Sequence, residues 1–206
     1  MRHYATKDLS QKQAYKFLSG SIIPRPIAWI TTFNKDQTVI NAAPFSFFNA
    51  AAADIPLVTV SILRQNSAIK DTAQNILDTK EAVIHLVDEQ VVEAMNQTAA
   101  SLPSEQSEIE LNQLETTPSK SVQVPGIKAA RIRMEGRLHQ YVPIKNHNDE
   151  TISDLFILEI TDFYFAETLI DQQKEYILPD RFKPIARLAG QTYAQIDGLF
   201  DLQRPK

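Results

Sequence analysis

The sequence predicts a mainly β domain with peripheral helices, arranged as an antiparallel barrel that stays partly open. Three observations predict it. Residues 57–63 alternate with a period of two, placing Val58, Val60 and Ile62 on one face and Thr59 and Ser61 on the other. Residues 131–139 do the same, with Ile132, Met134, Gly136 and Leu138 set between charged neighbours. The strand-like runs outnumber the helical ones, without the regular strand–helix alternation that builds a doubly wound parallel sheet. At 206 residues, 43% hydrophobic and 22% charged, the chain can bury one substantial core, and residues 1–206 are expected to form a single domain.

The elements follow in order. Residues 10–19 carry Ala14, Phe17 and Leu18 at helical spacing, with Gly20 placed to stop the helix. Residues 27–33 form a strand, and residues 38–40 return antiparallel through the turn-prone Asn34-Lys35-Asp36. Residues 41–49 mix small residues, aromatic rings and side-chain amides without amphipathic period, and Pro44 removes a backbone donor and biases Ala43 toward an extended conformation. That stretch is expected to be a binding loop. After the strand at 57–63, residues 70–77 form a helix, residues 82–87 a buried strand, and Asp88 caps a helix that ends before Pro103. Residues 103–125, rich in Ser, Glu, Thr and Pro, make a surface excursion with one short helix. The strand from Arg131 then pairs with residues 156–166 across a polar hairpin loop at 145–150.

Composition removes several classes of function. A net charge of -4 argues against nucleic acid or an anionic membrane surface as partner. The absence of cysteine rules out disulfides, thiolate nucleophiles and cysteine-based metal centres. The first residues lack the apolar centre of a secretory signal, and no apolar run reaches bilayer-spanning length, so a soluble, cytoplasmic protein is expected. His3, His85, His139 and His147 show no metal-binding spacing, and no Ser, His and acid grouping stands out, so no metal ligand and no catalytic side chain is assigned. The five glycines are too dispersed for either glycine-rich phosphate motif.

Phosphate can be held another way. At Lys70-Asp71-Thr72 a helix begins, and there the free amides, the positive end of the dipole, an ammonium and a hydroxyl can converge on one anion. An Asp71 cap beside solvated Lys70 and Thr72 would leave the same sequence. Trp29 and the cluster Phe45, Phe47, Phe48 can surround a flat ring while Asn41 or Asn49 reads its polar edge, although aromatic residues at such spacing also build cores. Thr31, Thr32, Ser46 and Ser61 add hydroxyls nearby. The chain thus suits a planar, phosphorylated cofactor that performs the chemistry itself.

Pro24-Arg25-Pro26-Ile27-Ala28-Trp29, then residues 41–49, then Lys70-Asp71-Thr72-Ala73-Gln74-Asn75-Ile76 resemble, in order and spacing, the flavin reductase-like family of FMN-binding split barrels. The likeness continues through Pro103-Ser104-Glu105 and Thr117-Pro118-Ser119 to residues 184–193. The resemblance implies a Greek-key-like split β-barrel, a homodimer with non-covalent FMN near the subunit interface, and NADH or NADPH as co-substrate. It places Thr31, Thr32, Ala43, Pro44, Phe45, Ser46 and Phe47 along the flavin ring with Asn49 nearby. Ser61, Lys70 and Thr72 fall at the phosphate, and Arg187 and Tyr193 at the cofactor or the nicotinamide side. The chain departs from the family in two places, lacking its frequent Cys in residues 131–138 and carrying Asp154 about where a His is common. Arg131, Arg133 and Arg137 offer either a dinucleotide-phosphate site or an ordinary exposed strand face. The resemblance implies an NAD(P)H:flavin oxidoreductase serving a monooxygenase or electron-transfer partner. The alternatives are a non-enzymatic FMN electron carrier and a flavin-free barrel acting through its dimer surface.

Overall fold

The computed structural model describes residues 1–196 and 198–205. Helix α1 (Gln11–Ser21) starts at Ser10, whose hydroxyl accepts the Gln13 amide while the Gln13 side chain accepts the Ser10 amide, a reciprocal capping box. It runs through Gly20, the expected stop, because the Ile22 amide still reaches the Leu18 carbonyl. Strands β1 (Ala28–Phe33), β2 (Ile40–Phe45), β3 (Phe48–Ala52) and β4 (Leu57–Leu63) follow, then α2 (Asp71–Thr79) and β5 (Glu81–Leu86). Next come α3 (Val92–Gln97), α4 (Glu108–Leu111), β6 (Thr116–Thr117) and β7 (Gly126–Ile127). The long strands β8 (Ile132–Lys145) and β9 (Thr151–Phe165) form a hairpin, closed where the Asn146 side chain accepts the Asn148 and Glu150 amides. Short pairs β10 (Ile170–Asp171) with β11 (Tyr176–Ile177) and β12 (Ile185–Arg187) with β13 (Tyr193–Gln195) flank α5 (Pro179–Phe182).

Seven strands make one antiparallel sheet in the order β2-β1-β5-β8-β9-β4-β3. Its two edge strands, β2 and β3, are consecutive in the chain and joined by Ser46 and Phe47 alone. The sheet therefore has to curl until its edges meet, and the Ser61 amide, donating to the Phe47 carbonyl at 2.8 Å, carries the β3–β4 ladder into that link. β2 and β4 approach without pairing, which leaves the barrel split.

This corrects the loop expected at residues 41–49. The stretch is instead the two edge strands and their link. Pro44 fits because an edge strand pairs on one side only, here with β1, and a missing donor on the free side costs nothing. The periodicity was obscured because β2 is half-covered on both faces.

Residues of β1 alternate between two cores. Ala28 and Ile30 join Phe45, Val60, Ile62, Ile84, Phe156 and Leu158 inside the barrel, and α2 plugs one end with Ala73 and Ile76. Trp29 points outward into a second cluster with Ile27, Val87, Met95, Ile109 and Ile127, roofed by α3 and α4. His85 on β5 is fully buried beside it, with Nδ1 2.8 Å from the Trp29 carbonyl and Nε2 accepting the Ile127 amide at 2.7 Å. Those partners fix the neutral Nδ1–H tautomer. A Cβ on Gly126 would lie 2.9 Å from Arg133 Cδ and 3.2 Å from His85 Nε2, so this crossing needs glycine.

Asp88 does not cap α3, which begins four residues later. Its Oδ1 accepts the Gln90 and Val91 amides in a local turn, and its Oδ2 receives Arg131 Nε at 2.7 Å. The three strand arginines are likewise occupied within the protein. Arg131 also donates to the Phe182 carbonyl, Arg133 lies 4.2 Å from the Tyr164 ring centroid, and Arg137 donates to the Ser121 carbonyl.

Candidate cofactor site

The start of α2 opens into a cavity of about 340 Å³, lined by Asn41, Ala43, Pro44 and Phe45 of β2, by Gln65 and Ile69, by Lys70, Asp71 and Thr72, by residues 98–102 and by Glu108. A second hollow of about 150 Å³ adjoins it through Pro44, Phe45 and Ala99, and adds Ile27, Ser46, Met95, Arg187 and Tyr193. Together they fall within the roughly 300–1,000 Å³ usual for small-molecule sites.

The polar end lies at α2. Lys70 is its N-cap residue, extended at φ -84° and ψ 152°, and no side chain caps the helix. The cap therefore falls one residue before Asp71, the cap the sequence also offered, and Asp71 is the first helical residue, so the first-turn amides are left to whatever occupies the cavity. Lys70 Nζ lies 5.8 Å from the Phe45 ring centroid, which places the ammonium over the cavity wall. Thr72 is only 2% exposed, and its hydroxyl donates to Asn41 Oδ1 at 2.6 Å. The hydroxyl is therefore committed to Asn41, and only the Thr72 backbone amide is left to face the cavity.

A buried polar network backs this wall. Asn41 Nδ2 donates to Glu108 Oε2 at 3.1 Å, the Ala42 amide donates to the same oxygen at 2.9 Å, and Asn75 Nδ2 donates to Thr32 Oγ1 at 3.1 Å. Burial pushes the Glu108 carboxyl above its ordinary range, opposed by the Ala42 amide and the Asn41 side chain, with Asp71 adding to the rise.

The less polar end is built on β12 and β13. Arg187 stacks 4.4 Å from the Tyr193 ring centroid and donates to the Gly190 carbonyl, and Tyr193 donates to Asn96 Oδ1 at 3.0 Å. Arg25 fixes the junction. Its guanidinium, 6% exposed, donates to Ser46 Oγ at 3.3 Å and to the carbonyls of Ser19, Ile22 and Leu188, so α1, the C-terminal segment and the cavity rim share one anchor.

Of the residues singled out in the sequence, Ala43, Pro44, Phe45, Ser46, Lys70, Thr72, Arg187 and Tyr193 line the two hollows. The others lie elsewhere. Trp29 sits beneath the floor, fully buried, with Nε1 donating to Thr98 Oγ1 at 2.9 Å. Thr31 donates to the Pro125 carbonyl, and Thr32 is held by Asn75, because β1 is an interior strand covered on both faces. Ser61 pairs with Ser153 at 2.6 Å across β4 and β9. Phe47 packs under Arg25 and beside Tyr15. Asn49 borders an apolar groove with Phe48, Leu57 and Phe163.

Glu108 and the span 98–102 were missed in the sequence. The Ser107-x-x-Glu110 spacing is the signal that locates α4, since Ser107 Oγ accepts the Glu110 amide and donates to the Ile40 carbonyl, setting Glu108 beneath β2. Nothing local marks Glu108 as part of a cavity. Asp154, fully buried, accepts both Arg64 Nε and Nη2 and the Tyr141 hydroxyl, which gives it a structural partner set. Among the described residues no group of His, Asp or Glu side chains could hold a metal, and no helix is long and apolar enough to cross a membrane.

Comparison with known proteins fits this geometry. A family model described as flavin reductase like domain matches residues 19–179. The Bacillus subtilis protein YwrF, uncharacterized, is 44% identical over 202 residues, covering 98% of each chain. Among solved structures, nitrilotriacetate monooxygenase component B from Bacillus cereus matches with a TM-score of 0.94 at 42% identity, covering 98% of both chains. The 2-nitrobenzoate 2-nitroreductase NbaA from Pseudomonas fluorescens matches with a TM-score of 0.88 at 32% identity, covering 99% of this chain and 96% of that one.

Proposed function

This chain belongs to the flavin reductase-like family, and from that premise we propose that it binds FMN in the cavity at the start of α2 and works as an NAD(P)H:flavin oxidoreductase. The observation that carries the proposal is the uncapped first turn of α2, with Lys70 beside it, opening into a cavity whose far side is Pro44, Phe45, Ser46, Arg187 and Tyr193. Such a site offers uncapped helix amides and an ammonium at one end and, at the other, Pro44 and the rings of Phe45 and Tyr193 beside the Ser46 hydroxyl and the Arg187 guanidinium. The residues present fit a phosphorylated planar ring.

Bound there, FMN would supply the redox chemistry, accepting hydride from NADH or NADPH and handing electrons on. The chain's own part is to bind and orient. Lys70 and the amides of residues 71–73 would hold the phosphate, and Pro44 and Phe45 would bear on the ring. Arg25 keeps Ser46 in place, and Trp29 supports residues 98–102 through Thr98. No side chain is assigned as an obligatory acid or base.

We further assign a homodimer, in the cytoplasm, that delivers electrons to a monooxygenase or another electron-transfer partner. The exposed groove lined by Pro26, Phe48, Leu57, Met134 and Phe163 supports a second protomer, since its walls are almost wholly apolar. Similarity to a monooxygenase component supports the partner. One observation favours a second reading, an FMN electron carrier fed by another protein: Arg131, Arg133 and Arg137 each already have a partner within the protein, which weakens the case for a dinucleotide-phosphate site there.

The test is direct. Protein loaded with FMN and mixed anaerobically with each nicotinamide should bleach at catalytic rates with at least one of them. Slow bleaching by both, with rapid reduction by a protein donor, selects the carrier. Failure to bind FMN at all removes both readings.

A further inference from the structure

Glu108 is 5% exposed, yet its carboxyl forms part of the wall of the α2 cavity. Ser107 pins α4 to β2 through the Ile40 carbonyl, and the Ala42 amide and Asn41 side chain hold the Glu108 carboxyl against the strand. Its two oxygens are unequally satisfied. Oε2 accepts the Ala42 amide at 2.9 Å and Asn41 Nδ2 at 3.1 Å, whereas Oε1 has a single long contact to Asn41 at 3.3 Å.

The charge around it is also unbalanced. From β2 it faces only the uncharged Asn41 and Ala42, and from the start of α2 it faces Asp71 and Lys70. The cavity wall therefore carries two carboxylates against one ammonium. A phosphate dianion entering this space meets the attraction of Lys70 and the helix amides together with repulsion from both acids. Asp71 is exposed, and water screens it; Glu108 is not.

We propose that Glu108 takes up a proton when a phosphate-bearing ligand occupies the α2 cavity, converting its carboxyl from a repelling anion into a hydrogen-bond donor on the wall. The proton comes from solvent and goes to Oε1, the weakly satisfied oxygen. Oε2 keeps the Ala42 amide, so β2 does not move, and the Asn41–Thr72 bond is preserved. No other bond forms or breaks. Burial already displaces this carboxyl toward the protonated form, and a nearby anion acts in the same direction. This inference rests on the phosphate assignment made above, and Glu108 is in these terms a positioning residue whose protonation tunes affinity.

The experiment uses FMN and inorganic phosphate as probes, at about pH 7.5–8, where a phosphate monoester with its second pKa near 6 is already dianionic. Calorimetric titration in two buffers of different ionisation enthalpy counts protons taken up on binding. The wild type is expected to take up protons, and its FMN affinity to fall as pH rises. Glu108→Gln, whose amide can accept from Ala42 and donate into the cavity, should show less uptake and a flatter pH profile. It should also bind FMN roughly threefold to tenfold more tightly at pH 8, since a like charge has been removed. A merely structural role would weaken binding instead. The carbon-13 carboxyl resonance of Glu108 in the wild type gives a readout that needs no variant, and it should move to the protonated position when FMN is added. An unmoved resonance, or proton uptake equal in wild type and Glu108→Gln, overturns the inference and leaves the phosphate assignment standing. Absence of FMN and phosphate binding to the wild type overturns both.

Discussion

Acidification should destabilise this protein through His85 before most carboxylates titrate. The ring is fully buried, and burial pushes its pKa down to about 4, with Arg133 adding to the effect and the Trp29 carbonyl opposing it. In the unfolded chain the imidazole binds a proton near pH 6.5. Between those values the unfolded state holds more protons than the folded one, so stability falls as pH falls through the window. At about 1.4 kcal/mol per unit, the loss between pH 7 and pH 5 is about 2 kcal/mol, approaching about 3 kcal/mol near pH 4.

Two acids act in the same range with opposite signs. Glu108, raised by burial, binds its proton in the folded state first and so favours folding as pH falls. At Glu135 burial pulls upward, but the Tyr164 hydroxyl and the Ser121 and Lys120 amides outweigh it and leave the carboxyl lowered, so its stabilising effect is lost on the acid side. The comparison that isolates the histidine is therefore wild type against His85→Gln. Urea unfolding of flavin-free protein at one fixed concentration, at pH 7, 6 and 5, should show the wild type losing about 2 kcal/mol more than the variant. The variant should start about 1–3 kcal/mol lower at pH 7, because one of the two ring bonds is not replaced. Parallel pH curves for the two proteins, or an imidazole resonance titrating near 6.5 in the folded state, would refute the reasoning.

Lys70→Ala should weaken FMN binding about tenfold to a hundredfold, the equivalent of one charge-assisted contact, with the melting temperature of the flavin-free protein unchanged; fluorescence titration measures the first and calorimetry the second. Trp29→Phe removes the donor to Thr98 and leaves space beneath residues 98–102, so thermal unfolding should show a loss of about 2–3 kcal/mol, with a rise in FMN dissociation rate. Phe163, 49% exposed at the apolar groove, is the place to test assembly. On the proposed homodimer, Phe163→Glu should sediment as a monomer at concentrations where the wild type is expected to be a dimer, and an unchanged sedimentation coefficient would remove the groove from the interface.

Much of the fold was legible because it is written in local pattern. β4 and β8 show the period of two that a half-buried strand imposes, the polar hairpin loop between β8 and β9 stands out by composition, and Ala14, Phe17 and Leu18 mark α1 by their spacing. Residues 41–49 were misread as a loop for a physical reason. An edge strand holding Pro44 and lying between two cores has no single wet face, so alternation carries no signal there. Asp88 has the composition of a helix cap and spends it on a turn and on Arg131.

The candidate site divides along the same line. The sequence by itself placed Lys70 at a helix start, because that depends on neighbours within a few residues, whereas grouping Pro44, Phe45 and Ser46 with it came from the family resemblance. Only the tertiary structure decided which hydroxyls are free. Thr31, Thr32 and Thr72 are chemically suited to a ligand, but each is committed to a partner distant in the chain, at Pro125, Asn75 and Asn41. Glu108 reaches the cavity from 66 positions beyond Ala42 in the chain, and no local pattern encodes a contact that the closure of a sheet brings about.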